Sequence, residues 1–102
     1  MMEFEWEEAK ARANERKHGI SFEIAMRVFD DPNALSEQDR VEGDELRWQT
    51  LGLVHGVLLV LVAHTVRQDA GEDEIIRIIS ARRANGKERN RYEENREKSG
   101  RR

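Results

Sequence analysis

The stretch LRWQTLGLVHGVLLVLVAHTV, Leu46 to Val66, decides the fold class of this chain. Its first part, Leu46 to Val54, alternates between two sets of side chains with a period of two, which is typical of a half-buried strand. Its second part, Val57 to Val66, is almost continuously apolar, which indicates a buried, central strand. Gly56 lies between them, where a tight turn needs positive φ. The stretch therefore predicts an antiparallel hairpin within a sheet.

Two short helices are predicted before this hairpin. Residues Glu7 to Lys17 are rich in Ala, Glu, Lys and Arg, which favour helix, and Gly19 is well placed to end it. Ser21 is a suitable N-cap for a second helix. The apolar residues of that helix recur at helical spacing, at Ile24, Val28 and Phe29. Pro32 ends the second helix, because the residue before a proline avoids the helical conformation.

One more strand and one more helix are predicted after the hairpin. EIIRIIS, Glu74 to Ser80, has the composition of a strand, and residues 81–84 form a short bridge. Asn85 and Glu88 match a capping box, in which each side chain accepts a hydrogen bond from the other residue's backbone N–H. The last helix is therefore expected to run from Gly86 to Arg96.

Together these elements predict an α+β fold in the order α-α-β-β-β-β-α. Two N-terminal helices and a C-terminal helix accompany a small four-stranded antiparallel sheet, whose weak edge strand is Ala34 to Asp39. The connections between strands are too short for parallel crossovers. Since 102 residues suffice for one domain but not for two, residues 1–96 are expected to form a single domain. Residues 97–102 are expected to be a frayed basic tail.

Charge is distributed unevenly along the chain. Residues 1–75 hold 8 Lys/Arg and 17 Asp/Glu, whereas residues 76–102 hold 10 Lys/Arg and 4 Asp/Glu. Such a split indicates an anionic partner for the basic part. The alternative is an Arg-rich terminal helix that is simply solvated.

The composition excludes several classes of protein. The chain has no cysteine, so disulfides and thiolate metal sites are excluded. The N-terminus is acidic and lacks the apolar region of a signal peptide. The longest apolar run, Val57 to Ala63, is far shorter than the about 20 residues of a membrane-spanning helix. We therefore expect a soluble protein of the cytoplasm that does not enter a membrane.

Arginines are the first candidates for function. Arg77 stands in the middle of the last predicted strand, where it either forms a structural salt bridge or points at a ligand phosphate. Arg82 and Arg83 follow directly, and Lys87 continues the series on the last helix. Because guanidinium groups match phosphate geometry, these cations are candidates for a concave phosphate-binding patch. The alternative is that several of them pair with acidic residues of the same helix.

Histidines are the second candidates. His64 lies near the end of the central strand and is either a general base or a rim residue. His18 is the other candidate base, although a histidine at a helix C-terminus also interacts favourably with the helix dipole. The histidines lack the paired spacing of a zinc site, and acidic runs such as residues 69–74 are typical of solvated loops. The sequence therefore predicts no metal site and no cofactor.

Two stretches resemble the BrnT family of toxins. FEWEEAKARANERKHGISFEIAMRVFDDPNAL, residues 4–35, resembles the family pattern F-x-W-D-x-x-K-x-x-x-N-x-x-K-H-G-I-x-F-x-x-A followed by F-x-D-P. RIISARRANGKERNRYEE, residues 77–94, resembles the later pattern I-R-I-I-S-A-R-x-A-x-x-x-E-R-x-x-Y-E. The resemblance covers about residues 3–95 and keeps the order of the two motifs.

The resemblance implies a RelE-like fold and the role of toxin in a type II toxin–antitoxin pair. The implied activity is metal-independent endoribonuclease cleavage, in which the ribose 2′-OH attacks the adjacent phosphorus, and growth arrest follows. The implied partners are RNA and a BrnA-like ribbon-helix-helix antitoxin, in a 2:2 heterotetramer that binds operator DNA through the antitoxin. The alternative is a non-enzymatic RNA- or antitoxin-binding module, that is, a degenerate toxin.

The matching motifs include Lys17, His18, Arg77, Arg82 and Tyr92, but they assign no separate role to each. The catalytic candidates are His64, His18, Arg77 and Arg82. The RNA-binding candidates are Lys17, Arg67, Arg83, Lys87 and Tyr92. Tyr92 has three alternative roles: it stacks on a base, donates a proton, or packs against the sheet.

Overall fold

The computed structural model describes residues 2–100, and the side chains of residues 2–98. Its five strands form a single mixed sheet in the order β1-β5-β4-β3-β2. In chain order the elements are β1 (Met2–Glu5), α1 (Glu8–His18), α2 (Phe22–Ala25), a 3₁₀ helix (Met26–Asp30), β2 (Leu35–Glu42), β3 (Glu45–Val54), β4 (Leu58–Gln68), β5 (Glu74–Arg83) and α3 (Gly86–Gly100).

The predicted four-stranded antiparallel sheet is wrong, although the α+β class is right. A fifth strand, β1, precedes the first helix and pairs in parallel with β5, with Phe4 opposite Ile76. The rule that short connections forbid parallel pairing does not apply, because almost the whole chain separates β1 from β5. Only Met2 and Phe4 give β1 an apolar alternation, which is too short to predict a strand from sequence.

The local signals that end and begin the first helices are confirmed. Gly19 has φ 72°, and its N–H donates to the carbonyl of Glu15 as the helix ends. The Ser21 hydroxyl accepts a hydrogen bond from the N–H of Ile24 at 3.1 Å. The second predicted helix, however, is only one turn of α-helix, and continues as the 3₁₀ helix up to the residues before Pro32.

The junction between β5 and α3 differs from its prediction. β5 continues to Arg83, so the predicted bridge at residues 81–84 is wrong: it is mostly strand. The capping box is confirmed, since Asn85 and Glu88 exchange two backbone-to-side-chain hydrogen bonds of 2.9 Å. α3 begins at Gly86 as predicted and extends beyond Arg96 to Gly100. Residues 101 and 102 of the predicted tail lie outside the described residues.

The two faces of the sheet are covered by different helices. On one face, called here the α1 face, α1, α2 and the 3₁₀ helix cover the larger core cluster, which includes Val62 and Ile78. On the other, the α3 face, Tyr92 of α3 packs on Leu51 and Leu61. Because side chains alternate along a strand, each residue of the sheet can be placed on one face from the register.

Two hydrogen-bonded polar side chains, Asn14 and Asp31, fix the helices on the sheet. Asn14 of α1 donates to the carbonyls of Ile20 and Ala81 at 3.0 and 2.9 Å, and it accepts from the N–H of Ala81 at 3.1 Å. These bonds satisfy an amide that is 7% exposed, and they align α1 with β5. The cost of leaving such a group unpaired makes this alignment specific.

The carboxylate of Asp31 links the end of the 3₁₀ helix to β3 and to α3. Its carboxylate accepts hydrogen bonds from the N–H of Leu53 at 2.8 Å and from the hydroxyl of Tyr92 at 2.6 Å. Gly52 allows this close approach, since a Cβ there would lie 2.9 Å from a methyl of Val28. Burial raises the pKa of Asp31, but hydrogen bonds from Leu53, Tyr92 and Asn33 outweigh it and hold the pKa below its usual value.

Replacing Tyr92 by phenylalanine is expected to lower the free energy of unfolding by about 1–2 kcal/mol, because a hydrogen bond to the half-buried carboxylate of Asp31 is lost. Urea denaturation of Tyr92→Phe measures this loss. The control is the same change in an Asp31→Ala background, where the hydroxyl has no carboxylate to meet and the loss should shrink. Equal losses in both backgrounds would show that the hydroxyl stabilises the fold in another way.

Candidate functional site

Arg67 and Arg77 lie on the α3 face of the sheet, and both are paired with carboxylates. Arg77 is opposite Thr65 in the register, on the α3 face. Its guanidinium donates to Glu7 at 2.8 Å. Arg67, on the same face, forms two hydrogen bonds to Glu5 at 2.8 and 2.9 Å. The bonds from Arg67 lower the pKa of Glu5, so this carboxylate stays ionised and offsets the charge of Arg67.

Arg82 is held even more firmly, at the junction between β5 and α3. Its guanidinium donates two hydrogen bonds of 2.9 Å to the carboxylate of Glu88 and a third to the carbonyl of Arg83 at 3.2 Å. The bonds from Arg82 are the main reason why the pKa of Glu88 is lowered. Because Glu88 also caps α3 through Asn85, Arg82 is part of the frame that sets the start of this helix.

A second group of cations lies at the end of β5 and has no carboxylate partner. Lys17, Arg83 and Lys87 are exposed, and within the described part of the chain none of them forms an ion pair. His18, next to Lys17, is half-buried and also unpaired there. These four residues are called here the basic end.

The contacts between α1 and β5 explain why Lys17 and His18 lie near Arg83. Glu7 contacts Arg77 and Asn14 contacts Ala81, so α1 runs alongside β5 in the same direction. Lys17 and His18 lie about 5 Å beyond Asn14 along the helix axis. This advance places them beside the last residues of β5, where the side chain of Arg83 lies on the α1 face, as does that of Ala81.

His64 is kept apart from the arginines of the α3 face. It lies opposite Ile78, on the α1 face, and is 2% exposed. Its Nε2 and the hydroxyl of Thr50 are 2.7 Å apart, and its ring meets that of Phe29 edge to face. Burial lowers the pKa of His64 to about 4. The side chain is therefore neutral at pH 7 and lies inside the fold, not at the rim of the sheet.

Tyr92 is also inside the fold. It is 1% exposed, and its hydroxyl is committed to Asp31 at 2.6 Å. Burial and the bond to Asp31 raise the pKa of this hydroxyl above its usual value. The ring borders a cavity of about 410 Å³ that is also lined by Arg27 and Arg96, and it lies under α3, not on the open surface.

The carboxylate partners of the arginines were not found from the sequence. Glu5 and Glu7 lie some 60 to 70 residues away from Arg67 and Arg77, so sequence spacing gives no signal for these pairs. Glu88 carried a signal, because the capping box singled it out three residues after Asn85. Its second role, toward Arg82, depends on β5 reaching Arg83.

Comparisons with known proteins were made at the level of sequence and of structure. The family model described as "Ribonuclease toxin, BrnT, of type II toxin-antitoxin system" matches residues 6–88. The solved structure of the Brucella abortus ribonuclease toxin BrnT is similar in fold, with a TM-score of 0.57 and 22% sequence identity. The match covers 83% of this chain and 99% of that one. No curated protein matches. Among residues 2–100, no helix has the length and apolar character needed to cross a membrane.

A His64→Gln variant is expected to lose less stability than the wild type between about pH 6.5 and pH 4.5. In this interval an unfolded histidine, with a pKa of about 6.5, binds a proton, whereas His64 in the fold does not. Its contribution to stability is therefore complete above the unfolded pKa and decreases as the pH falls, by on the order of 2 kcal/mol.

Urea denaturation at several pH values measures this difference. Glutamine does not titrate, and it retains an amide that can meet the hydroxyl of Thr50, so it is the matched control for the ring. Parallel losses of stability in the two proteins would show that His64 is not the neutral, buried group described above.

Proposed function

Because the chain belongs to the BrnT family of type II toxin–antitoxin ribonuclease toxins, we propose that it is a metal-independent endoribonuclease that arrests growth until its antitoxin binds. The observation that carries this proposal is the basic end. Lys17, Arg83 and Lys87 are exposed cations without a carboxylate partner in the described chain. Phosphates bind such cations without first displacing an internal partner.

The proposed chemistry is an internal transfer at one RNA phosphate. His18 takes the proton of the ribose 2′-OH, whose oxygen attacks the adjacent phosphorus. The bond to the 5′-oxygen of the next nucleotide breaks, and that oxygen takes a proton from Lys17. Arg83 stabilises the charge that develops on the non-bridging oxygens. The products are a 2′,3′-cyclic phosphate and a 5′-hydroxyl, so this step consumes no water and does not require a metal ion.

The remaining candidates have supporting roles in this proposal. Lys87, in the first turn of α3, binds a neighbouring phosphate. The side chains of Arg67 and Arg77 are 53% and 39% exposed. They extend the RNA-binding surface if RNA phosphates replace Glu5 and Glu7 as their partners. Arg82 positions the site through Glu88. His64 and Tyr92 are assigned no chemical step, because both are buried and hydrogen-bonded.

The proposed partners follow from the family. The antitoxin is a ribbon-helix-helix protein that binds the toxin in a 2:2 complex and contacts operator DNA itself. Since RNA and antitoxin are both made in the cytoplasm, that is the proposed location. Apart from the RNA-contacting candidates Lys17, His18 and Arg67, residues 1–75 carry an excess of acidic side chains that suits a basic protein partner.

Arg83→Ala is expected to lower the rate of RNA cleavage by about 100-fold, with a change of less than about 0.5 kcal/mol in the free energy of unfolding. Arg82→Ala is expected to lower stability as well, by about 1 kcal/mol, because Glu88 loses its partner. Cleavage of a labelled RNA by antitoxin-free protein, together with urea denaturation, measures both effects.

Arg40→Ala is the matched control. It removes the same charge from an exposed side chain of β2. The only ion pair lost among the described residues is the 3.8 Å contact with Glu42, so RNA cleavage should be unchanged. If Arg83→Ala cleaves RNA as fast as Arg40→Ala, the basic end is not the site. If neither the wild type nor any variant cleaves RNA, the chain is a binding module and not an enzyme.

A further inference from the structure

The end of the sheet farthest from the basic end exposes apolar side chains on the α1 face. Val41 is 66% exposed, Met2 40%, and Leu46 and Val66 36% each. With Trp48 they form what is called here the apolar strip. A soluble sheet normally turns polar side chains to water, so a continuous run of exposed apolar residues points to a binding surface.

The register places all five residues on one face. Trp48 lies opposite His64, which is on the α1 face, and Val66 follows two residues after His64. Leu46 precedes Trp48 by two residues and pairs with Val41. Met2 precedes Phe4 by two residues, and Phe4 lies opposite Ile76 of the same face. The apolar strip therefore crosses the sheet from β2 to β1.

A cleft of about 260 Å³ opens within the apolar strip. Met2, Trp48 and Val66 line it together with Phe29 and Ile76, and His64 and Glu74 also border it. The cleft is therefore mainly apolar, and it has room for one large apolar side chain.

Acidic residues surround the apolar strip. The turn between β2 and β3, residues 42–45, and the loop between β4 and β5, residues 69–74, hold seven carboxylates and no Lys or Arg. Glu42 is paired with Arg47 at 3.3 Å and with Arg40 at 3.8 Å, so it adds little to the negative charge of this border. Both connections lie at this end of the sheet, because β4 begins at Leu58 near Arg83 and ends at Gln68 near Glu74. An apolar surface with an acidic border favours a partner whose apolar residues are flanked by basic ones.

We propose that the apolar strip is the docking surface for the antitoxin, which binds it through an amphipathic segment with Lys and Arg beside its apolar side chains. One apolar side chain of this segment enters the cleft. This inference rests on the proposed function, which supplies the antitoxin. A second copy of the chain fits less well, because it would bring two acidic borders together.

Docking here leaves the antitoxin within reach of the basic end. The longest dimension of the molecule is 37 Å, which about 11 extended residues span. A continuation of the docked segment can therefore cover the basic end while the apolar strip provides the anchor.

The test measures binding of the antitoxin encoded beside this chain to Val41→Lys and Val66→Lys variants. Each lysine replaces an exposed apolar group and adds a charge that repels a basic segment. We expect the dissociation constant to rise about tenfold or more for each variant. RNA cleavage in the absence of antitoxin should be unchanged, since neither residue belongs to the basic end.

Val57→Lys is the matched control. Val57 is 82% exposed in the turn between β3 and β4, at the other end of the sheet, so antitoxin affinity should stay at the wild-type value. Binding should also weaken as salt is added, because the border contributes through charge.

Wild-type antitoxin affinity in both Val41→Lys and Val66→Lys, with each protein folded by circular dichroism, would overturn the proposal. So would a chain that dimerises alone and becomes monomeric in Val41→Lys while its antitoxin affinity is unchanged, since the strip would then serve self-association. Failure of the proposed function looks different: the wild type would not cleave RNA, whatever the antitoxin affinities are.

Discussion

Glu88 joins the last strand of the sheet to the last helix, and the arrangement of the whole candidate site depends on that carboxylate. It accepts two hydrogen bonds from Arg82 and one from the backbone of Asn85. These bonds fix where β5 ends and where α3 begins. They also distinguish two adjacent arginines, because the side chain of Arg82 holds the junction, whereas that of Arg83 has no carboxylate partner among the side chains of residues 2–98. The basic end therefore owes its free charge to the fact that Arg82 satisfies Glu88.

The sheet has two chemically different ends. At one end, the close of β5 lies beside the last turn of α1, and the exposed cations of the basic end are gathered there. At the other end, acidic connections surround the apolar strip. β4 connects the two ends, and the hydrogen-bonded side chains of Asn14 and Asp31 hold the helices in fixed positions on either side. A type II toxin acts on RNA and binds a protein antitoxin, and in our proposal each of the two meets a separate end of the sheet.

The sequence predicts those parts of the fold that are specified locally. Gly19, Ser21 and the capping box of Asn85 and Glu88 each act within a few residues, so their predictions are confirmed. β1 could not be predicted, because its four residues become a strand only where β5, more than seventy residues later, offers a free edge. The five-stranded mixed sheet therefore depends on a pairing between the two ends of the chain.

The sequence predicts a set of candidate site residues, but it does not predict their geometry. The sequence leaves ion pairing open as an alternative for Arg77 and Arg82, but it does not assign Glu7 to Arg77 or Glu88 to Arg82. His64 was expected near a strand end, yet β4 continues to Gln68, so the imidazole is buried between β3 and β5. Burial and ion pairing depend on contacts between distant elements, and these contacts decide which of the candidate cations are already paired with carboxylates.

The most direct measurement is the chemical nature of the RNA ends that purified, antitoxin-free protein produces in the presence of EDTA. If the 2′-OH is the nucleophile and the cations of the basic end stabilise the charge, cleavage will proceed in EDTA and leave 5′-hydroxyl ends that a kinase can label directly. Cleavage that stops in EDTA, or that leaves 5′-phosphate ends, would contradict this account, because water activated by a metal ion would then be the nucleophile.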